Sequence, residues 1–233
     1  MKIIPVILFL LIVFASGIRK PGKQIESTVK VFDNPESYSK INEAQQLLKN
    51  GDLIVRLNHD PISLFIKDFN SRDKKYSHAG LVFFENGQPY VYHIINGEEN
   101  PGEKIKRETV TGFCNPNKNS AFGIFRYKID SSEVEKLKSV IQKWYKKEVK
   151  FDLEFDLLTD QKMYCSEMIS KAMARITHNR IKTGTTELTH VQAVFLSTYL
   201  QRPYKDFDKK ELIAIDDLYK PDFCSTVKEF VYK

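Results

Sequence analysis

The chain has 233 residues and a formal net charge of +6, with 42% hydrophobic and 28% charged residues. This is the balance of a globular protein with room for one sizeable core, and it excludes a disordered, collagen-like or disulfide-framework chain. The positive charges of stretches such as "WYKKEVK" and "FDKKE" are scattered over turns and helix faces. They form no basic stripe, and no nucleic-acid motif accompanies them.

The N-terminus "MKIIPVILFLLIVFASG" carries one early lysine, an apolar run from Ile3 to Phe14, then small residues. This is a secretory signal pattern, so residues 1–17 are expected to be removed and the protein exported to a periplasmic or extracellular space. The run is shorter than the roughly 20 apolar residues that span a bilayer. Arg19, Lys20 and Lys23 behind it leave an uncleaved N-terminal anchor as the alternative. Residues 18–35, with Pro21, Gly22 and Pro35, read as a linker or lead-in. Residues 36–233 read as a single domain.

Within that domain, Ile41, Ala44, Leu47 and Leu48 form a helical stripe that stops at Gly51. "DLIVRL" (52–57) is a strand, and Pro61 suits the first turn of a helix in "PISLFIKDF". "HAGLVFFENGQPYVYHII" (78–95) is a hairpin about Asn86-Gly87. "AFGIFRYKI" (121–129) is a further strand. The helix that follows is capped by Ser131 or Ser132 and lined by Val134, Leu137, Val140, Ile141 and Trp144. "QKMYCSEMISKAMARI" places Cys165 at the head of an amphipathic helix whose stripe is Met168, Ile169, Ala172, Met173 and Ile176. "LIAI" (212–215) is strand-like, and the chain ends in a loop. Helices interleaved with strands in this order predict an α+β fold with an antiparallel sheet and packed helices.

Two readings of Cys165 follow from its window. It is a small hydrophobe filling a core, or a thiol placed where a helix start and an imidazolium lower its pKa below about 8.5. The histidines favour the second. A two-residue turn at Asn86-Gly87 sets His78 opposite position 95 and makes His93 its diagonal neighbour on one face of the hairpin. An imidazole that accepts the thiol proton, a second polar group that orients it, and helix-start N–H groups facing an oxyanion make an acyl-transfer site. His78 and His93 fit base and orienter. His59, His178 and His190 have no partner at readable spacing. Asp152, Glu154 and Asp156 in "FDLEFD" alternate like a strand or loop wall and lack the glycine of a calcium loop. His78, His93 and Cys165 match zinc in ligand type only. No cofactor motif is present. In an oxidising compartment, three cysteines leave one over. With Cys165 free, Cys114 and Cys224 either pair or stay as two buried thiols.

"GDLIV" (51–55), "YSHAGLV" (76–82), the strand ending in His93, "FDLEFD" (151–156), "MYCSEMI" (163–169) and "IDDLYKPDF" (215–223) resemble the YaeF/YiiX permuted papain-like amidases of the NlpC-like superfamily. His78 precedes Cys165, the reverse of the ordinary papain order. The resemblance implies a circularly permuted papain-like fold, Cys165 as nucleophile and His78 as its base. The sequence departs at His93, where close relatives often carry Glu and the lecithin-retinol-acyltransferase-like branch often carries His. The implied function is cysteine-dependent amide hydrolysis through an acyl-thioester, on cell-wall peptides or N-acyl compounds, at a cell-wall or membrane surface. Acyl transfer to or from a lipid, and a non-catalytic envelope-binding module, are the alternatives.

Overall fold

The computed structural model describes residues 32–233, so the expected signal segment, residues 1–17, lies outside the described residues. Asn34 caps α1 (Pro35–Leu47), its side chain accepting from Ser37 N–H. β1 (Leu53–Asn58) leads to α2 (Pro61–Ile66). A meander of β2 (His78–Glu85), β3 (Gln88–Ile94) and β4 (Ile105–Thr109) ends in α3 (Val110–Phe113). β5 (Asn119–Tyr127), α4 (Ser131–Lys146) and α5 (Cys165–Ile176) come next. The chain closes with β6 (Thr186–Glu187), α6 (His190–Tyr199), β7 (Glu211–Leu212), a 3-10 turn (Ile215–Tyr219) and β8 (Cys224–Val231).

Six strands form an antiparallel sheet in the order β4-β3-β2-β1-β5-β8. The hairpin has the expected register, with Leu81 opposite Tyr92 and Glu85 opposite Gln88. Asn86 (φ 50°) and Gly87 (φ 80°) both take the left-handed conformation that a type I′ turn requires. Side-chain alternation sorts the sheet into two faces. Leu53, Val55, Ala79 and Leu81 pack against Leu137 and Ile141 of α4 and Met168, Ile169 and Ala172 of α5. Ile54, Val82, Val91 and Ile124 pack against Ile41 and Ala44 of α1 and Val110 and Phe113 of α3.

Several expectations are corrected. Asp130, not Ser131 or Ser132, caps α4: its side chain accepts from Glu133 N–H while the Glu133 carboxylate accepts from Asp130 N–H. The chain does not end in a loop. β8 pairs with β5, Phe230 opposite Phe122 with rings stacked at 4.5 Å. As an edge strand it buries only Cys224 and Phe230, which blunts its hydrophobic alternation. Only Leu212 of "LIAI" is in a strand, and the chain turns into the 3-10 segment at Ile215. Cys114 and Cys224 are not paired. All three thiols are free, and these two belong to cores on opposite faces of the sheet. Among the described residues, no helix is long and apolar enough to cross a membrane.

Candidate active site

The apolar stripe of α5 sinks into the first core, which carries the head of the helix down onto β2. Glu167, at the third helical position, accepts the Tyr164 N–H at 3.2 Å and fixes the turn in which Cys165 is the first helical residue. Two further bonds tie that turn to the segment after β7. Ile213 N–H donates to Tyr164 Oη at 2.7 Å, and Ser166 Oγ donates to the Ile213 carbonyl at 2.7 Å. The Cys165 thiol is thereby held beside the amide of Ala79, the residue after His78.

Cys165 and His78 line one cavity of about 450 Å³. Its lining includes apolar side chains, among them Ile62, Ile66, Phe195, Leu196 and Ile213, and polar ones, among them Asn58, Asp60, Ser77 and Glu99.

Behind His78 runs a chain of contacts across three strands. His78 Nε2 lies 2.8 Å from Nδ1 of His93. His93 is fully buried, and its Nε2 lies 2.7 Å from Oε1 of Glu108 on β4. The contact is one of distance and charge: neither of those two atoms has a hydrogen-bond partner of regular geometry among the described residues. Lys106 Nζ holds the other carboxylate oxygen at 2.9 Å. Burial would raise the Glu108 carboxyl, but His93 and Lys106 overcome it and bring it to about 2. Burial pushes His93 down to about 4 against the pull of Glu108. Burial, then the Arg56 guanidinium, His93 and Lys106, hold His78 well below the usual imidazole range.

These directions fix the protons near neutral pH. Ionised Glu108 only accepts, so His93 carries its proton on Nε2. His93 Nδ1 is then an acceptor, and His78 must donate from Nε2. The lone pair of His78 is left on Nδ1, ready to take a proton.

The expected thiolate–imidazolium pair is corrected. Burial pushes the Cys165 thiol up, and the amides of Ala79 and Ser166 offset this only in part. Thiol and imidazole both stand neutral, so this arrangement can deprotonate the thiol as it attacks and does not store a thiolate.

The other candidates lie elsewhere. Asp152 accepts Glu154 N–H and Asp156 N–H, a turn tied by its own backbone. His190 meets the Tyr204 hydroxyl at 3.0 Å. None of His59, His178 and His190 lines the cavity. Among the described residues, no group of three His, Cys, Asp or Glu side chains is arranged to hold a metal ion. Both ring nitrogens of His93 are taken by His78 and Glu108. Glu108 escaped the sequence reading because β4, "IKRET", is a charged strand. The one available signal was its spacing, fifteen residues after His93 as His93 is fifteen after His78.

A helix-head cysteine facing the cavity of a strand-borne histidine that precedes it, on an antiparallel sheet with helices on both faces, defines a permuted papain-like cysteine hydrolase fold. Residues 47–202 match the model of the permuted papain-like amidase enzyme, YaeF/YiiX, C92 family, and the chain belongs to that family. Its fold is similar to the crystal structure of the metalloprotein yiiX from Escherichia coli O157:H7, at 16% identity and a TM-score of 0.62. The match covers 78% of this chain and 98% of that one. No curated protein matches the sequence.

Proposed function

We propose that this protein hydrolyses an amide bond, with Cys165 as nucleophile, His78 as general base and acid, and His93 as the residue that orients His78. The observation that carries this reading is the shared cavity of Cys165 and His78 backed by the His78–His93–Glu108 chain. His78 Nδ1 takes the thiol proton as Sγ bonds to the substrate carbonyl carbon. The oxyanion that forms is met by N–H groups at the start of α5. The carbon–nitrogen bond breaks as His78 returns the proton to the leaving amine, which leaves an acyl-thioester. Water, deprotonated by the same imidazole, then attacks the thioester and releases the acid and the thiol. Glu108 holds both imidazoles in the tautomers this sequence needs.

The apolar side chains of the lining suit an acyl or apolar side-chain group, and cell-wall peptides and N-acyl amines are the substrate classes in view. The signal-like N-terminus supports action outside the cytoplasm, by exported or anchored protein. No metal takes part in the proposed steps. The test is a screen of peptidoglycan fragments and N-acyl amines with the wild type and with Cys165→Ala, with mass spectrometry of trapped protein. An acyl adduct on Cys165 and release of an amine support the reading. Acyl transfer to a lipid alcohol without net hydrolysis overturns it for the acyltransferase, and binding without turnover overturns it for a non-catalytic module.

A further inference from the structure

Arg56 is the largest fully buried side chain of the described residues, 1% exposed, and the relay above does not use it. It sits on β1 directly opposite His78 on β2, so the two side chains leave the same face of the sheet as neighbours. Nη1 donates to the Phe113 carbonyl and Nη2 to Glu99 Oε2, each at 2.9 Å, and Nε has no partner. Its guanidinium carbon lies 4.7 Å from the centre of the Phe113 ring. The rings of His78 and His93 approach that same phenylalanine at 5.7 and 5.1 Å. A neutral donor could satisfy the Phe113 carbonyl. Burying a full positive charge one strand from a general base is costly, and the carbonyl does not require it.

Its counter-charge, Glu99, comes from residues 95–104, the loop between β3 and β4. That loop lines the cavity through Asn96, Gly97, Glu98 and Glu99. It is tied off by Asn100, whose amide donates to the carbonyls of Ile95 and Lys104. Lys118 holds the second oxygen of Glu99 at 3.1 Å.

We infer that Arg56 is a positioning residue, a fixed buried cation that keeps His78 a neutral, proton-accepting base, and that Glu99 pins it from the cavity-lining loop. The charged and titratable groups around His78 are Arg56 from β1, His93 from β3 and Lys106 from β4, with Glu108 of β4 behind His93, Glu99 of the loop behind Arg56, and Cys165 of α5 on the wall of the same cavity. Glu108 is engaged by His93 and Lys106, and Glu99 by Arg56 and Lys118. Arg56 is the buried cation among them and cannot release its charge by deprotonation. A like charge at this range disfavours imidazolium. The loop that borders the substrate therefore also sets the field at the base.

The inference rests on the role proposed for His78, and its test needs no substrate. Long-range ¹H–¹⁵N spectra of histidine-labelled protein report the protonation of His78 against pH. Arg56→Met should raise its midpoint by about one pH unit, tenfold in proton affinity. Arg56→Lys, which keeps the charge, should hold the midpoint within a few tenths of the wild type. Glu99→Gln removes the counter-charge and keeps the cation, so His78 should stay neutral at least as far into acid as in the wild type. The acid limb of kcat/KM should follow the same order once a substrate is known. A midpoint unmoved by Arg56→Met, or raised by Glu99→Gln, overturns the inference. If Arg56→Met does not fold, Arg56→Lys and Glu99→Gln decide it. Correct spectra in an enzyme that turns nothing over would refute the amidase reading and leave this one standing.

Discussion

Replacing Glu108 with glutamine keeps the shape of the side chain and removes the charge that orders two imidazoles. In the native site the carboxylate only accepts, so His93 must donate from Nε2 and His78 must present its lone pair from Nδ1. A carboxamide can also donate. Its N–H can bond His93 Nε2, which moves the His93 proton to Nδ1, turns His78 Nε2 into an acceptor and leaves His78 Nδ1 protonated. That form has no base for the thiol. A charge-assisted bond contributes about 1.5–3 kcal/mol and a neutral one about 0.5–1.5 kcal/mol, so most of the bias against the wrong form disappears. Loss of a general base typically costs 10²–10⁴ in rate. Glu108 acts through His93, so Glu108→Gln should fall near the lower end, about 10² in kcat, with KM little changed. The assay pairs turnover with ¹⁵N shifts that separate protonated from unprotonated ring nitrogens. Full activity with His78 Nδ1 still unprotonated would refute the tautomer argument. A hundredfold loss with unchanged tautomers would refute the mechanism assigned to it.

Other outcomes follow from the same geometry. Native protein should lose one thiol, Cys165, to a substrate-like electrophile, and all three thiols should react after unfolding. Peptide mapping under non-reducing conditions should find no Cys114–Cys224 link, because those residues lie in separate cores. Gly80→Ala should lower stability by about 1–3 kcal/mol and turnover with it. Its added methyl would sit 2.6 Å from Val91 Cγ1 and 3.1 Å from His93 Cβ, which pries β3 away from His78; a variant with native melting temperature and activity would count against this. Acid should weaken the fold in two stages. His93 drops from its ordinary 6.5 to about 4 on folding, so its stabilising contribution is complete above 6.5 and is lost as pH falls to about 4, up to about 3 kcal/mol. Glu108, lowered from 4.5 to about 2, contributes above 4.5 and loses that contribution as pH falls through about 2. Urea unfolding at pH 7.5 and 4.5 checks the first stage, and His93→Gln should lose less between those values than the wild type; equal losses would contradict it.

What could be read from the sequence was whatever depends on local patterning. Asn86-Gly87 determines a turn, the turn determines a register, and the register brings His78 and His93 together. The stripe of Met168, Ile169, Ala172 and Met173 determines the buried face of α5 and hence where Cys165 points. What depends on depth or on distant neighbours was hidden. The thiol looked poised for ionisation because a helix start stabilises thiolate, but the degree of burial that reverses this appears only in the folded molecule. Arg56 reads as one charge in an apolar run, and only the packing of Phe113 and Glu99 over it makes it a buried cation. β8 was missed because an edge strand that buries only Cys224 and Phe230 shows little hydrophobic alternation.

The permuted order has a physical consequence for how the site assembles. His78, His93 and Glu108 stand on three successive strands of one meander, joined by a tight turn and the loop 95–104, so the proposed base and its supports form from contacts close in sequence. Cys165 comes from a helix that docks on β2 through packing and through the Ile213 clamp on Tyr164 and Ser166. The tautomer is therefore a property of the meander, and the basicity of His78 one of the meander together with Arg56 of β1, whereas the placement of the thiol depends on α5 and the segment after β7. Damage to the clamp, as by Ser166→Ala, should slow acylation and leave the protonation of His78 unchanged. Damage to β4 should do the reverse, altering the base while Cys165 stays in place.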